Sequence, residues 1–138
     1  SIIIFDVDHF KNYNDNNGHL KGSAALRRVG ELMRTVFRTS DVLAKYGGDE
    51  FVIILPNSDK VGAFLAADRL REIVETESFE GGHLQPLGKI TLSLGIASFP
   101  GHGKTVEELM DHADKALYCA KKSGRNKTII YSTDLEEE

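Results

Sequence analysis

The strongest constraint on the fold is a pair of strand-like runs that meet across two glycines. Residues 42–46 read as one strand and Phe51-Val52-Ile53-Ile54-Leu55 as the next, with Gly47-Gly48-Asp49-Glu50 between them. Glycine reaches backbone angles that other residues avoid, so a Gly-Gly step between two apolar runs predicts a β-hairpin. An isolated hairpin is marginal in water and needs more strands and a covering layer. The rest of the chain supplies both. Ile2-Ile3-Ile4-Phe5 is a β-branched run that ends at Asp6-Val7-Asp8. Leu92, Leu94 and Ile96 alternate with smaller residues, and Thr128-Ile129-Ile130-Tyr131 form a last strand. Apolar spacings of three and four predict long helices through Leu26, Val29, Met33, Val36 and Phe37, through Ala63, Ala67, Leu70, Ile73 and Val74, and through Val106, Leu109, Met110, Ala113, Leu117 and Ala120. A short helix and turn are expected near residues 9–18, and a loop from Ser78 to Lys89, which holds Gly81-Gly82, Pro86 and Gly88. The order β-α-α-β-β-α-β-α-β predicts an α/β (α+β) sandwich. Its core is a five-stranded, mostly antiparallel sheet flanked by helices.

A chain of 138 residues that is 41% hydrophobic is enough for one domain with its own core. No apolar run approaches the ~18 residues of a membrane span, and no basic-then-apolar leader opens the chain. The expectation is a chain with no membrane insertion. Cys119 is the single cysteine, which rules out an internal disulfide and a multi-cysteine zinc site and fits a cytoplasmic setting. The 17 Lys+Arg against 21 Asp+Glu leave a formal net charge of −4, three of those acids being Glu136, Glu137 and Glu138. Tracking a nucleic-acid polymer calls for a basic excess, so DNA and RNA are not expected partners. A small anionic ligand needs only a few cations.

Those cations and a set of carboxylates are placed suggestively. Asp6 and Asp8 end the first strand, and Asp49 and Glu50 occupy the hairpin turn. A single turn acid is ordinarily just solvated. Two pairs at the ends of neighbouring strands would converge, and hard oxygen ligands with open positions suit Mg²⁺. Two such ions can activate a hydroxyl and stabilise a leaving phosphate. Lys11 follows the first acidic pair, and Lys121 and Arg125 flank Ser123-Gly124 at the end of the last helix, where a cation can also serve only the helix dipole. Gly103-Lys104-Thr105 and Gly82 to Gly88-Lys89 imitate a phosphate loop, but neither has its full glycine and hydroxyl spacing. No H-x-x-x-H pair exists for a zinc hydrolase, and Cys119 reads as a packing residue.

Tyr46-Gly47-Gly48-Asp49-Glu50-Phe51 resembles the signature of the GGDEF domain, the catalytic module of diguanylate cyclases. Two further blocks extend the resemblance over residues 2 to about 131. They are Asp6-Val7-Asp8-His9-Phe10-Lys11 with Asn14-Asp15, Gly18-His19 and Gly22, and Ala113-Asp114-Lys115-Ala116-Leu117-Tyr118 with Ala120-Lys121 and Gly124-Arg125-Asn126. The resemblance implies a nucleotidyl-cyclase or palm-like fold that condenses two purine nucleoside triphosphates into a 3′,3′-cyclic dinucleotide with release of pyrophosphate. It implies a homodimer with one triphosphate per subunit and two Mg²⁺ ions per site, with Mn²⁺ able to substitute. Asp6, the Val7 carbonyl and Asp49 would hold metal, with Asp8 close by. Glu50 would help deprotonate the attacking hydroxyl or act as a metal ligand, so Asp49 and Glu50 are the catalytic candidates. Lys11, Lys121 and Arg125 would grip phosphates, Asn14 would contact the base, and Phe10, His19, Gly47 and Gly48 would complete the substrate site. Arg38-Thr39-Ser40-Asp41 matches the family's RxxD inhibitory site for cyclic dinucleotide product; the plainer reading is a helix-end Arg followed by a turn Asp.

Two departures from the family pattern stand out. Ser23 occupies a position where most diguanylate cyclases carry an Asp that accepts hydrogen bonds from guanine. A carboxylate only accepts, whereas a hydroxyl donates or accepts and can serve either purine. This resembles the hybrid promiscuous (Hypr) subgroup, which makes cyclic GMP-AMP, so ATP is expected as a substrate beside GTP. Lys45 replaces the more usual Arg, keeping charge but losing the planar fork. The alternatives are a strict diguanylate cyclase, a non-catalytic nucleotide or cyclic-dinucleotide receptor, and a dimerisation scaffold. Family members usually begin with a helix and an Asp-x-Leu-Thr segment. The expectation is therefore a catalytic domain over 1–132 without that helix, an acidic tail over 133–138, and a sensory or dimerising domain elsewhere in a longer bacterial signalling protein.

Overall fold

A computed structural model describes residues 1–137. Five strands form one sheet: β1 (Ile2–Val7), β2 (Val42–Lys45), β3 (Glu50–Ile54), β4 (Leu92–Ala97) and β5 (Lys127–Ile130). Their spatial order is β2-β3-β1-β4-β5; only the β4–β5 pair is parallel. Four helices cover it: α1 (Phe10–Asn17), α2 (His19–Val36), α3 (Lys60–Thr76) and α4 (Val106–Lys122). The element order and the mostly antiparallel sheet are those expected from the sequence. Two details differ. The loop after α3 contains a 3-10 turn at Gly82–Leu84, and Thr133–Glu137, expected as tail, form another whose Leu135 packs against the core. Glu138 lies outside the described residues.

The period of two in β1 divides its side chains between two cores. Ile3, Phe5 and Val7 face α1, α2 and α3 together with Phe51, Ile53, Leu92, Leu94 and Ile96. Ile2 and Ile4 face α4, joined by Ala113, Ala116, Leu117 and Tyr131. Asp6 therefore emerges on the α4 side, where the last turn of α4 can reach it. Lys121 does so.

The small buried residues of α4 let it lie close to the sheet. Gly95 on β4 is where it touches: a Cβ there would stand 2.2 Å from the Ala113 carbonyl oxygen and 2.4 Å from the Leu117 nitrogen. The start of α4 is set by Thr105, whose hydroxyl accepts from the Glu108 N–H at 3.1 Å. Asp59 caps α3 in the same way, accepting from the Gly62 N–H at 2.9 Å. Asp59→Ala is expected to cost about 1 kcal/mol of stability, read as a lower urea midpoint at unchanged m-value.

Candidate active site

One shallow cleft collects the residues at the ends of β1, of the hairpin and of α4. Asp6, Val7, Asp8, His9, Phe10, Lys11, Asp49, Lys121 and Arg125 line it. The hairpin brings Asp49 here: the Val7 N–H donates to the Asp49 carbonyl at 3.3 Å, and the Tyr46 N–H to the Glu50 carbonyl at 2.6 Å. Gly47 holds φ +85° in this turn, a left-handed angle that glycine adopts without strain. Asp6 pairs with Glu50 on β3 and with Ser93 on β4, so the three form one row across the sheet.

The electrostatics of the row follow from burial. Asp6 is only 13% exposed, and its Oδ2 meets Lys121 Nζ at 2.5 Å. Its Oδ1 is buried with no hydrogen-bond partner. Burial raises the Asp6 pKa to about 6; Lys121 opposes this, and Asp49 and Asp8 add to it. Glu50 is also raised, first by burial and then by Asp114 and Asp49, with Lys121 again opposing. A desolvated, unpaired carboxylate oxygen is costly and invites a cation. Among the described residues no three His, Cys, Asp or Glu side chains already converge on one point. Mg²⁺ takes few protein ligands and keeps positions for water or phosphate. Asp6, Asp49 and the Val7 carbonyl fit such an ion.

Asp8 lies close to Asp6, as expected, but is held differently. Its carboxylate is 3% exposed and turned into the protein. Thr91 Oγ1 donates to Oδ2 at 2.7 Å, Ser93 Oγ to Oδ1 at 2.6 Å, and the Asn126 N–H to Oδ2 at 3.1 Å. Asp8 ties β1, β4 and the turn before β5 together at the edge of the cleft that it helps to line.

The other candidates divide between places. Lys11 and Arg125 face the cleft; Lys121 is engaged by Asp6. His19 is exposed at the start of α2. Asn14 on α1 buries its Oδ1 against Gly22, where a Cβ would come within 1.7 Å of it, and that oxygen has no donor. Ser23 sits one residue on, exposed, at a second groove between α2 and β2 that includes Leu26, Arg27, Leu43 and Lys45. Phe10 lines the cleft, and its ring lies 3.3 Å from where a Gly22 Cβ would stand.

Arg38 and Asp41 are brought together on the far side. Asp41, only 2% exposed, accepts from the Arg38 N–H at 2.9 Å and holds the turn after α2. Its other oxygen lies 3.5 Å from the Arg38 guanidinium, so the two members of the expected inhibitory pair stand side by side. The Arg38 guanidinium, 59% exposed, donates to Ser58 Oγ at 2.7 Å and the Pro56 carbonyl at 3.3 Å.

Sequence reading missed three contributors. Asp114 lies seven residues before Lys121 on the same helix, two turns away, close enough for its charge to raise the Glu50 carboxyl. Gln85, inside the loop, is buried and donates to the Asp8 and His9 carbonyls at 3.2 and 3.1 Å. Asn126, in the Gly124-Arg125-Asn126 segment, donates its N–H to Asp8 Oδ2 from the turn before β5, a contact with no local signal in the sequence.

The sequence profile described as "Diguanylate cyclase, GGDEF domain" matches residues 1–127. The chain belongs to the GGDEF family. Diguanylate cyclase A of Treponema denticola is 34% identical over 137 residues, covering 98% of this chain and 36% of that protein. Diguanylate cyclase DosC of Escherichia coli K12 is 38% identical over 135 residues, 98% of this chain and 29% of DosC. The GGDEF chain thus spans about a third of the length of the curated relatives it matches. Among solved structures, the active GGEEF domain of a Vibrio cholerae diguanylate cyclase superposes with a TM-score of 0.86 at 31% identity, covering 96% of this chain and 82% of that one. The GGDEF domain of Caulobacter crescentus DgcB, described in complex with c-di-GMP, gives 0.82 at 31% identity, covering 94% and 75%. No helix among the described residues is long and apolar enough to cross a membrane.

Proposed function

We propose that this GGDEF domain catalyses formation of a 3′,3′-cyclic dinucleotide from two purine nucleoside triphosphates, as half of an antiparallel homodimer. The observation that carries the reading is the buried, unpartnered Asp6 Oδ1 beside Asp49 in a cleft that also holds Lys11, Lys121 and Arg125. Carboxylates and cations in one cleft suit a metal–triphosphate and little else of comparable size.

The 3′-hydroxyl of one nucleotide attacks the α-phosphorus of the other, forming the new P–O bond as the bond to pyrophosphate breaks; the mirrored step closes the ring. Bound Mg²⁺ supplies Lewis-acid charge at the reacting phosphate. Asp6, Asp49 and the Val7 carbonyl are the groups that would hold it. Glu50, whose pKa is raised, is suited to take the hydroxyl proton. Lys11 and Arg125 neutralise the departing pyrophosphate. Lys121 is the charge that a divalent ion would replace at Asp6, which leaves its ammonium free for the phosphates. Most of the rate enhancement then comes from positioning and charge neutralisation. Such substrates belong to a cytoplasmic setting, and the domain would take its input from other parts of a longer signalling protein.

The purine choice rests on Asn14 and Ser23. With Ser23 in place of a carboxylate, the base site accepts either purine edge, so cyclic GMP-AMP is expected beside cyclic di-GMP. The test is chromatography of products from equal GTP and ATP with Mg²⁺. Ser23→Asp is expected to shift the mixture toward cyclic di-GMP at least about tenfold. Cyclic di-GMP alone from the unaltered protein would support the narrower reading, which the diguanylate cyclase names of its relatives favour. Binding without pyrophosphate release by a dimer would mark a receptor. Product binding on the far side would rest on the exposed Arg38 guanidinium, with Asp41 shaping the turn beneath it.

A further inference from the structure

The turn between α4 and β5 is held in an unfavourable shape. Gly124, Arg125 and Asn126 follow one another with φ of +115°, +63° and +50°. Asn tolerates the left-handed region better than most residues, but an Arg beside it does not, and the pair persists only where the surroundings hold it. The conformation is what brings Arg125 back over the end of α4, its N–H donating to the Ala120 carbonyl at 2.9 Å, and into the cleft.

The restraint comes from elsewhere in the fold, through Asn126. Its backbone N–H donates to Asp8 Oδ2 at 3.1 Å. Its side-chain Oδ1 accepts from Arg71 Nη1 at 3.2 Å, and its Nδ2 donates to Glu75 Oε2. Both partners sit on α3. Arg71 is 17% exposed and is itself fixed by Asp68, which it meets at 2.7 Å and which also accepts from Thr128 Oγ1 at 3.1 Å. Both polar atoms of the Asn126 side-chain amide are thus engaged by α3 groups that do not line the cleft and that are themselves paired, Arg71 Nη1 with Glu75 Oε2 at 3.2 Å. The arrangement fixes the one turn residue whose neighbour faces the proposed phosphates.

We propose that Asn126, gripped by Arg71 and Glu75 on α3 and by Asp8 on β1, is a positioning residue that aims Arg125 at the terminal phosphates of the bound triphosphate. This rests on the nucleotide reading above. It makes α3, which contributes nothing to the cleft itself, the backing of the phosphate site. A preset Arg binds phosphate with less ordering cost than one on a free loop.

The test is calorimetric binding of a non-hydrolysable GTP analogue with Mg²⁺, and of GMP by competition, to the unaltered chain and to variants. Asn126→Gly keeps the left-handed backbone accessible while removing the amide; Arg71→Gln loosens the same clamp from behind. Each is expected to weaken the triphosphate analogue about tenfold and leave GMP unchanged, because only the outer phosphates meet Arg125. Arg125→Ala should show the same selective loss, and Arg125→Ala with Asn126→Gly should be no weaker than Arg125→Ala alone. Equal losses for GMP and the triphosphate, or additive losses in the double variant, overturn the proposal while leaving the nucleotide reading intact. Absence of triphosphate binding by the unaltered chain overturns that reading, and the proposal with it. Thermal unfolding of each variant identifies any that has lost its fold; an unfolded Arg71→Gln leaves the decision to the Asn126→Gly pair.

Discussion

Asp6→Asn is expected to reduce pyrophosphate release by a dimer-forming version of the protein by roughly a thousandfold, and yet to raise its melting temperature in EDTA at neutral pH. The first effect follows because an amide cannot replace the charge of a carboxylate at a divalent ion. The second follows from burial. Burial raises the Asp6 pKa to about 6 in the folded chain from its ordinary value of 3.8, so the folded state holds a proton over that interval that the unfolded state has released. The stability this proton contributes is fully present below about 3.8 and is lost as the pH rises through about 6. Asn carries no such charge. The melting difference between Asp6→Asn and the unaltered protein should therefore be small near pH 4 and favour the variant near pH 7.5. Melting curves at both pH values in EDTA check it. A difference that is constant with pH would mean that Lys121 fully compensates the buried carboxylate, and the cause assigned to the raised pKa would be wrong. Saturating Mg²⁺ should reverse the order at pH 7.5, since only the carboxylate gains from the ion. A carboxylate that weakens the apo fold and is rescued by its ligand is the usual trade at a catalytic position.

Much of this site is written locally in the chain, and the unread part is not local at all. The β-branched run Ile2–Phe5 and the Gly47-Gly48 step specify strands and a hairpin by themselves, and together they set Asp6 opposite Glu50. Asp8 has the same residue type two positions away, and sequence gives no sign that it turns inward. Its fate depends on Thr91, Ser93 and Asn126, which lie 83, 85 and 118 residues along the chain. The Arg38-Asp41 pair shows the converse. Its spacing is short enough to be read either way, and the i,i+3 geometry itself lets the carboxylate close on the Arg38 N–H. Gln85 was hidden in a segment readable only as loop, because a side chain that caps a remote backbone carbonyl leaves no periodic trace. Short-range pattern reveals elements; long-range polar contacts decide which carboxylates remain available.

Gly95→Ala is expected to destabilise the protein by about 3 kcal/mol or more, enough to threaten folding of a single domain. Gly95 is in the middle of β4 and is not a turn residue, so its backbone angles do not demand glycine. What demands it is α4. The Cβ would meet the Ala113 carbonyl oxygen at 2.2 Å, the Leu117 nitrogen at 2.4 Å and the Leu117 Cα at 2.9 Å. All three are backbone atoms of the helix, which no rotamer change can move aside. The helix must lift as a body, and with it the packing of Ala113, Ala116 and Leu117 on Ile2 and Ile4. Gly30→Ala supplies the contrast. It lies inside α2 with nothing within 4 Å of its Cβ, and helix propensity predicts a gain of about 0.5–1 kcal/mol there. Urea unfolding of both variants separates close approach from the general effect of replacing glycine: opposite signs are expected, and equal ones would refute the packing account. Because α4 also carries Lys121 and Asp114, any Gly95→Ala protein that still folds should hold Lys121 farther from Asp6 and lose activity beyond its loss of stability. The tight seat of one helix on one glycine is what places the cation against the buried carboxylate.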